Sequence, residues 1–215
     1  MKKLAIVGSG DLGEQIAWHA KNDNHYTVVG FFDDFADMAV ARHGLPVLGR
    51  VADIAAAYKR GAFDEILLAI GYKHFRQRQL IFETLVAEIP FGRLIHSSTY
   101  IDPSVKLGRG VVVYPGCVID MKAVLEDNVL LNAGVVVAHD STIGAHTFLS
   151  PGVKVAGFVR VGNCVSLGIG TCVVDNLQIA DNVRTGAGAV VTENLTDPGL
   201  YVGVPARYKK PNDSL

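Results

Sequence analysis

The chain has 215 residues, of which 49% are hydrophobic and 19% charged, and its formal net charge at pH 7 is −1. This length suffices for one large or two small domains with their own cores. A nearly balanced charge gives no electrostatic reason to expect nucleic acid or a membrane surface as a partner. The apolar run at residues 4–7 ends in a glycine-rich turn, too early for a signal peptide or a spanning helix, so we expect a cytoplasmic protein.

The first part of the chain alternates between short apolar runs and helical patterns. Strands are predicted at residues 3–7, 26–32, 46–48, 65–70 and 91–95, and helices at residues 14–21, 51–60 and 74–86. This alternation predicts a parallel sheet covered by helices on both faces, with ligands at the carboxyl ends of the strands. We therefore expect an α/β Rossmann-like domain over residues 1–95 and a second domain over residues 96–215.

A glycine-rich turn follows the first predicted strand. Gly8, Gly10 and Gly13 fit the pattern G-x-G-x-x-G between a strand and a helix, and Asp33 and Asp34 follow about twenty residues later. In such a turn backbone N–H groups approach a phosphate, and the carboxylate accepts ribose hydroxyls. The domain has the length of one mononucleotide half, which predicts a mononucleotide-bearing ligand. The alternative is a turn that only closes the corner between strand and helix.

Gly71 ends the predicted strand at residues 65–70 and is expected to line the same crevice. Lys73 and Arg76 follow it and are placed to reach phosphates. The alternative is that these two cations belong only to the solvated start of a helix.

The rest of the chain repeats with a period of six. From Ile101 to Val191 an aliphatic residue recurs at every sixth position, once in each of sixteen consecutive hexads, with Thr185 as the exception. Neither a helix nor an ordinary strand has this period, which is typical of a parallel β-helix. Three hexads make one triangular coil, so residues eighteen apart stack on successive coils, at a strand spacing of about 4.8 Å.

The three cysteines, Cys117, Cys164 and Cys172, all lie inside the repeats. An odd number without metal-ligand spacing is typical of reduced thiols in a core. No other side-chain cluster in the sequence has the spacing of a metal site, so we predict no catalytic metal.

His139 occupies an outward position near a corner of the predicted prism. An imidazole can act as a general base near neutral pH, and the adjacent Asp140 is placed to fix its tautomer. Gly157, eighteen residues on, would stack beside it and offer a backbone N–H to an oxyanion. The alternative is a surface histidine without a role, which is also how we interpret His146 in another column.

Taken in order, these features resemble one family. The glycine-rich turn, residues 31–34 (FFDD), the hexapeptide array, His139 with Asp140, and the closing residues 202–207 (VGVPAR) are similar to the sialic acid O-acetyltransferases and nucleotide-sugar N-acetyltransferases. The latter act on UDP-4-amino sugars and on perosamine and bacillosamine precursors. The resemblance covers essentially the whole chain. It implies a left-handed β-helix, a homotrimer, and acetyl-CoA bound in the groove between neighbouring β-helices.

The resemblance also implies roles for single positions. His139 resembles the catalytic base, Asp140 the acidic residue that tunes it, and Gly157 the backbone donor to the acetyl carbonyl. Ile169 and Ala187, eighteen apart, match positions that contact coenzyme A. The positions that match the nucleotide-sugar site are Gly10, Asp11, Leu12, Asp33, Asp34 and Gly71, with Gly8 and Gly13 completing the turn.

The chain departs from the family pattern at two places. Phe148 stands where the bacillosamine-type enzymes have a second histidine that contacts acetyl-CoA, so that contact must be absent or replaced. Asp11 and Leu12 stand where the family usually has Gly-His. The resemblance therefore does not determine the nucleotide base or the exact diphosphate contacts.

The resemblance implies direct, acetyl-CoA-dependent N-acetylation of the 4-amino group of a nucleotide-linked deoxy sugar. The nearest alternative is O-acetylation of a sialic acid or another sugar hydroxyl, which uses the same base and groove. A non-catalytic trimeric scaffold or binding protein is the alternative from another class.

Overall fold

The computed structural model describes residues 1–212 and divides the chain into two compact units, Met1–Leu94 and the part that begins at Ile95. Within the described residues, no helix is both long and apolar enough to cross a membrane.

The first unit is a four-stranded parallel sheet with three α-helices. Its elements are β1 (Lys3–Val7), α1 (Asp11–Asn22), β2 (Thr27–Phe32), β3 (Val47–Gly49), α2 (Ile54–Lys59), β4 (Glu65–Leu68) and α3 (Phe75–Leu85). The strand order is β3-β2-β1-β4. Short 3₁₀ turns at Val51–Asp53 and Tyr72–His74 precede α2 and α3. The Rossmann-like order predicted from the alternating pattern is confirmed.

Both faces of this sheet are covered. Ala5 and Val7 of β1 pack in one apolar cluster with Ile54 of α2 and Ile81 of α3. Leu4 and Ile6 point to the opposite face, because side chains alternate along a strand, and both are fully buried. A strand buried on both sides explains the continuous apolar run in the sequence.

The prediction of one continuous strand over residues 91–95 is wrong. Phe91 forms only an isolated parallel bridge with Ile66. The next residues are held by side chains, since the Tyr26 hydroxyl accepts a hydrogen bond from Arg93 N at 3.2 Å and donates one to Glu65 Oε2 at 2.7 Å. Only Leu94–Ile95 (β5) is a strand, and it joins a sheet of the repeat domain.

The second unit is a left-handed parallel β-helix built from three sheets. Strands β6 to β21 are, in order, Tyr100–Ile101, Lys106–Leu107, Val112–Val113, Val118–Ile119, Val124–Leu125, Leu130–Leu131, Val136–Val137, Thr142–Ile143, Phe148–Leu149, Lys154–Val155, Arg160–Val161, Ser166–Leu167, Cys172–Val173, Gln178–Ile179, Val183–Thr185 and Val190–Val191. Gly199–Val202 (β22) and Arg207–Lys210 (β23) extend one sheet, and these two strands pair antiparallel.

The three sheets are the faces of the prism. The five-stranded face holds β7, β10, β13, β16 and β19; the six-stranded face holds β6, β9, β12, β15, β18 and β21; the remaining strands form the eight-stranded face. Val136 pairs with Val118 on one side and Lys154 on the other, each eighteen residues away. The predicted stacking interval is therefore confirmed, and the aliphatic member of each hexad points into a continuous buried core.

Each corner of the prism has a residue in the left-handed backbone region. The corner between the eight- and six-stranded faces uses Gly116, Gly134, Gly152, Gly170 and Gly188. The corner between the five- and eight-stranded faces uses Gly110, Asn128, His146, Cys164 and Asn182. The corner between the six- and five-stranded faces, here the six–five corner, uses Lys122, Asp140, Phe158 and Asn176.

Thr185, the one polar residue in the aliphatic series, has hydrogen-bond partners inside the prism. It is only 6% exposed, and its Oγ1 accepts a hydrogen bond from Gly168 N at 2.9 Å. The Thr171 hydroxyl lies 2.8 Å from the same atom. The exception to the pattern is thus a satisfied buried polar pair.

Replacing Thr185 with valine should lower the free energy of unfolding by about 1–3 kcal/mol, because the Gly168 N–H then loses its acceptor and the Thr171 hydroxyl keeps only the long contact of 3.4 Å to Gly186 O. Chemical denaturation measures the change, with Thr185→Ser as the control that keeps the hydroxyl. A valine variant more stable than the serine variant would contradict this account.

Candidate active site

A cleft of about 500 Å³ in the first unit gathers several residues of the predicted nucleotide site. Gly8, Asp33, Asp34 and Gly71 line it, together with His74 from the turn that precedes α3. These positions follow β1, β2 and β4, so the cleft lies at the carboxyl ends of parallel strands, where α/β sheets bind ligands. His74 had no assigned role in the sequence, and its place after Gly71 is the signal that could have indicated one.

The glycines of the turn have two different functions in the fold. Gly8 has a φ of +99°, and a side chain on Gly13 would place its Cβ 2.2 Å from the Gly8 carbonyl oxygen. These two residues are therefore needed for close packing of α1 against the turn. Gly10 and Gly71 have open space where a Cβ would be, so their backbone is accessible. Gly10 is the N-cap residue of α1, and because it has no side chain it leaves the backbone N–H groups of the first helical turn uncapped.

The start of α1 supplies the other predicted residues of the turn. Asp11 is the first residue of the helix and is exposed, whereas Leu12 is partly buried. Backbone N–H groups and the helix dipole favour an anion at such an N-terminus.

Asp33 binds the glycine-rich turn itself. Its Oδ2 accepts hydrogen bonds from Ser9 N at 2.8 Å and Ser9 Oγ at 2.7 Å, and its Oδ1 accepts one from Phe35 N at 2.9 Å. Partial burial acts to raise the pKa of Asp33, but the hydrogen bonds from Ser9 and Phe35 outweigh it and hold the pKa below its ordinary value. Sequence reasoning missed Ser9, although a hydroxyl between two glycines of such a turn is a usable signal.

Asp34 is more available than Asp33. It is exposed, and its Oδ1 accepts a hydrogen bond from Val51 N at 2.9 Å. Within the described chain its Oδ2 accepts no hydrogen bond. Asp34 therefore has an oxygen open to the cleft, while both oxygens of Asp33 are occupied.

In the second unit, His139 and Asp140 form a hydrogen-bonded pair at the six–five corner. His139 Nδ1 lies 3.1 Å from Asp140 Oδ2, and Asp140 Oδ1 lies 4.0 Å from Lys122 Nζ. The carboxylate accepts, so the proton belongs on Nδ1, and Nε2 keeps its lone pair. No residue of the 1–212 range hydrogen-bonds this Nε2, and the side chain is 44% exposed. The pair has the arrangement of an accessible general base.

Gly157 lies directly against the imidazole. A Cβ at this position would be 2.7 Å from His139 Cε1, so only glycine lets the ring occupy this place. The neighbouring amides are engaged, with Ala156 N donating to Val173 O at 3.0 Å and Phe158 N donating to His139 O at 3.1 Å. The Gly157 N–H has no acceptor among the residues that the structure describes. The predicted base and the predicted backbone donor are therefore together.

Ile169 and Ala187 lie at a different corner, between the eight- and six-stranded faces. Both are exposed, and they belong to successive coils joined by a hydrogen bond from Gly188 N to Ile169 O at 2.7 Å. The six-stranded face separates this corner from the corner of His139. The repeat thus brings the two residues to one column but not to His139 of the same chain.

Two other positions behave differently from His139. Phe148 is 7% exposed on the eight-stranded face, where β14 pairs with β11 and β17. His146 is buried, with Nδ1 3.0 Å from Asn128 Nδ2 one coil away. The prediction of a surface histidine is therefore wrong for His146, which is buried at its corner and packs against the residue one coil away.

The described part of the chain holds no group of three or more His, Cys, Asp or Glu side chains arranged to bind a metal ion. Cys117, Cys164 and Cys172 are in the thiol form, and the first two are buried.

Asp33→Asn should lower stability most at neutral pH. A carboxylate whose folded pKa is depressed stabilises the fold above its unfolded pKa, and this stabilisation is lost as the pH falls through the folded value. The difference in unfolding free energy between wild type and variant should therefore shrink below about pH 4. Denaturation at several pH values measures it, with Asp34→Asn as the control; a difference independent of pH would refute the role of the Ser9 contact.

Comparisons with known proteins agree with this architecture. Residues 3–85 match the PglD N-terminal domain, and residues 122–157 match the bacterial transferase hexapeptide (six repeats). A comparison with curated protein sequences gave no match.

Solved structures match the chain over almost its full length. The acetyltransferase domain of PglB from Neisseria gonorrhoeae FA1090 is 30% identical with a TM-score of 0.88, and the match covers 97% of this chain and 100% of that chain. A second structure of that domain contains acetyl coenzyme A. PerB from Caulobacter crescentus, in complex with CoA and GDP-perosamine, is 32% identical with a TM-score of 0.88, covering 97% of this chain and 98% of that chain.

WeeI from Acinetobacter baumannii AYE is 21% identical with a TM-score of 0.84 over 97% of this chain and 100% of that chain, a likeness of fold alone. The PglB and PerB structures reach 30% identity or more over nearly all of both chains. The chain therefore belongs to the nucleotide-sugar N-acetyltransferase family of hexapeptide-repeat acetyltransferases.

Proposed function

We propose that this protein transfers the acetyl group of acetyl-CoA to the 4-amino group of a nucleotide-linked deoxy sugar. The observation that carries the proposal is the arrangement of His139, Asp140 and Gly157, an accessible base beside an unengaged backbone donor. The cleft of the first unit lies at the carboxyl ends of parallel strands and is lined by Asp33 and Asp34, which supports a nucleotide-linked acceptor. The relative PerB, solved with CoA and GDP-perosamine, supports this substrate class.

In the proposed mechanism the amine nitrogen attacks the thioester carbonyl carbon of acetyl-CoA. His139 Nε2 accepts the amine proton, while Asp140 holds the Nδ1 proton and stabilises the imidazolium. The Gly157 N–H donates to the oxyanion of the tetrahedral intermediate. The C–S bond then breaks, and the imidazolium returns the proton to the coenzyme A thiolate. No covalent enzyme intermediate is required, and much of the acceleration comes from positioning.

We place the nucleotide in the cleft of the first unit. The diphosphate would lie at the N-terminus of α1, where Gly10, Asp11 and Leu12 present backbone N–H groups. The open Oδ2 makes Asp34 the better acceptor for ribose hydroxyls, whereas Asp33 shapes the turn through Ser9. Gly71 would allow close approach on the other side of the cleft.

We place coenzyme A between neighbouring β-helices of a homotrimer. The outward side chains of the six-stranded face are, in order, Tyr100, Val118, Val136, Lys154, Cys172 and Val190, and among them Lys154 is exposed and charged. Tyr100 is 58% exposed and Val118 is 39% exposed. A row that is apolar except for one lysine still favours packing against another copy. This face separates the two corners within one chain. Ile169 and Ala187 of one protomer would therefore lie near the His139 of a neighbouring protomer in the trimer.

Gly10→Ala should raise KM for the nucleotide sugar about tenfold or more while leaving KM for acetyl-CoA nearly unchanged, because the added methyl blocks the approach of a phosphate. The fold should tolerate the change, since a Cβ at Gly10 meets no atom within 4 Å. Gly13→Ala is the contrasting variant, with a Cβ 2.2 Å from Gly8 O, and should lower the melting temperature. Equal effects of Gly10→Ala on both KM values would argue against separate sites.

His139→Ala should lower turnover about a hundredfold or more, as expected for removal of a general base. The assay is thiol release from acetyl-CoA with UDP-, dTDP- and GDP-linked 4-amino sugars and with free sialic acid. His25→Ala is the control, because His25 pairs with Asp23 outside the proposed site. Near-normal turnover in His139→Ala would eliminate His139 as the base.

The same panel tests the substrate class. Thiol release with free sialic acid alone would show that the reaction is O-acetylation and not N-acetylation. Absence of release with every acceptor, together with no thermal stabilisation by acetyl-CoA, would support a binding or scaffold role.

A further inference from the structure

Phe158 has a backbone conformation that its side chain disfavours. Its φ is +58°, in the left-handed region that bulky residues rarely adopt. The other residues of this column are Lys122, Asp140 and Asn176; Asp140 and Asn176, on the adjacent coils, are types that tolerate this region better, and Lys122 is unbranched. Strain of this kind persists where the surroundings enforce it, and it clusters at functional sites.

Burial does not explain why a phenylalanine is present. Phe158 is 53% exposed, so much of its ring is outside the apolar core. An asparagine or glycine would suit the corner better and would expose less apolar surface.

The contact that the ring does make is with the proposed base. The centroids of Phe158 and His139 are 5.1 Å apart, and the ring planes meet at 85°, an edge-to-face arrangement. Such aromatic pairs attract one another beyond their shared buried area. The imidazole is thus held from three directions, by Asp140 at Nδ1, by the Gly157 α-carbon, and by the Phe158 ring.

We infer that Phe158 is a positioning residue for the acetyl transfer. It holds the His139 ring in the orientation that keeps Nδ1 on Asp140 and leaves Nε2 available to the amine. This inference rests on the proposed function for its catalytic consequence. The ring orientation itself can be measured without any substrate.

The test compares three substitutions of Phe158 with a control. Phe158→Asn removes the ring but suits the left-handed backbone, Phe158→Leu keeps an apolar side chain, and Phe158→Tyr keeps the ring. Asn176→Gly is the matched control at the same corner, one coil further on. We expect kcat to fall about tenfold or more in Phe158→Asn and Phe158→Leu, with little change in either KM, and to recover in Phe158→Tyr. The melting temperature of Phe158→Asn should not fall.

A double mutant separates positioning from direct contact with substrate. If Phe158 acts through His139, Phe158→Asn should cause no further loss of kcat in the His139→Ala background. An equal further loss would mean that Phe158 acts on the substrates directly, and would overturn the inference.

Nuclear magnetic resonance of protein labelled with ¹⁵N at histidine provides the substrate-free measurement, because the imidazole nitrogen shifts distinguish a protonated Nδ1 from a protonated Nε2 and respond little to the ring current of a neighbouring phenyl group. The His139 signals, identified by their loss in His139→Ala, should show a protonated Nδ1 in wild type and in Asn176→Gly, and a mixture of the two tautomers in Phe158→Asn. An unchanged signal overturns the inference, as does an unchanged kcat in an active enzyme. If wild type acetylates none of the acceptors, the proposed function fails, and the His139 signal alone decides whether Phe158 holds the ring.

Discussion

Hydrogen bonds between strands eighteen residues apart determine where each side chain of the β-helix lies. Each strand from β6 to β21 contributes only two or three residues, so no single one of them is stable alone, and the ladders along the three faces supply the cooperativity. The aliphatic core requires the same interval, because a shift by one residue would turn the buried side chains outward. The contact between His139 and Gly157 is a direct product of this interval.

Contacts that repeat with the hexads could be predicted from the sequence, whereas contacts between single, non-repeated residues could not. The stacking of Ile169 on Ala187 could be predicted because a period of six leaves no freedom in the column. The split of residues 91–95 could not, since it depends on Tyr26, Glu65 and Arg93, which are far apart in the chain. The buried role of Thr185 could not be predicted either, because it depends on hydrogen bonds with Gly168 and Thr171 that the hexad pattern does not specify.

The candidate site divides in the same way. In the first unit the motif located Gly8, Asp33 and Asp34, and the end of a predicted strand located Gly71. All four line one cleft, but the motif did not distinguish the two aspartates. Their difference arises from Ser9 and Val51, whose hydrogen bonds depend on the path of two loops. In the second unit the sequence located His139 with Asp140, whereas the edge-to-face contact with Phe158 depends on side-chain rotamers that no spacing determines.

The three-sided coil also restricts how this chain can change in length. An insertion of eighteen residues adds one complete coil and returns every later residue to its own corner. An insertion of six residues moves every later residue to the next face, which would carry Ile169 away from the glycine-lined corner and onto another edge of the prism. Length variation within the repeats is therefore quantised in whole coils, whereas the loops of the first unit can lengthen by single residues.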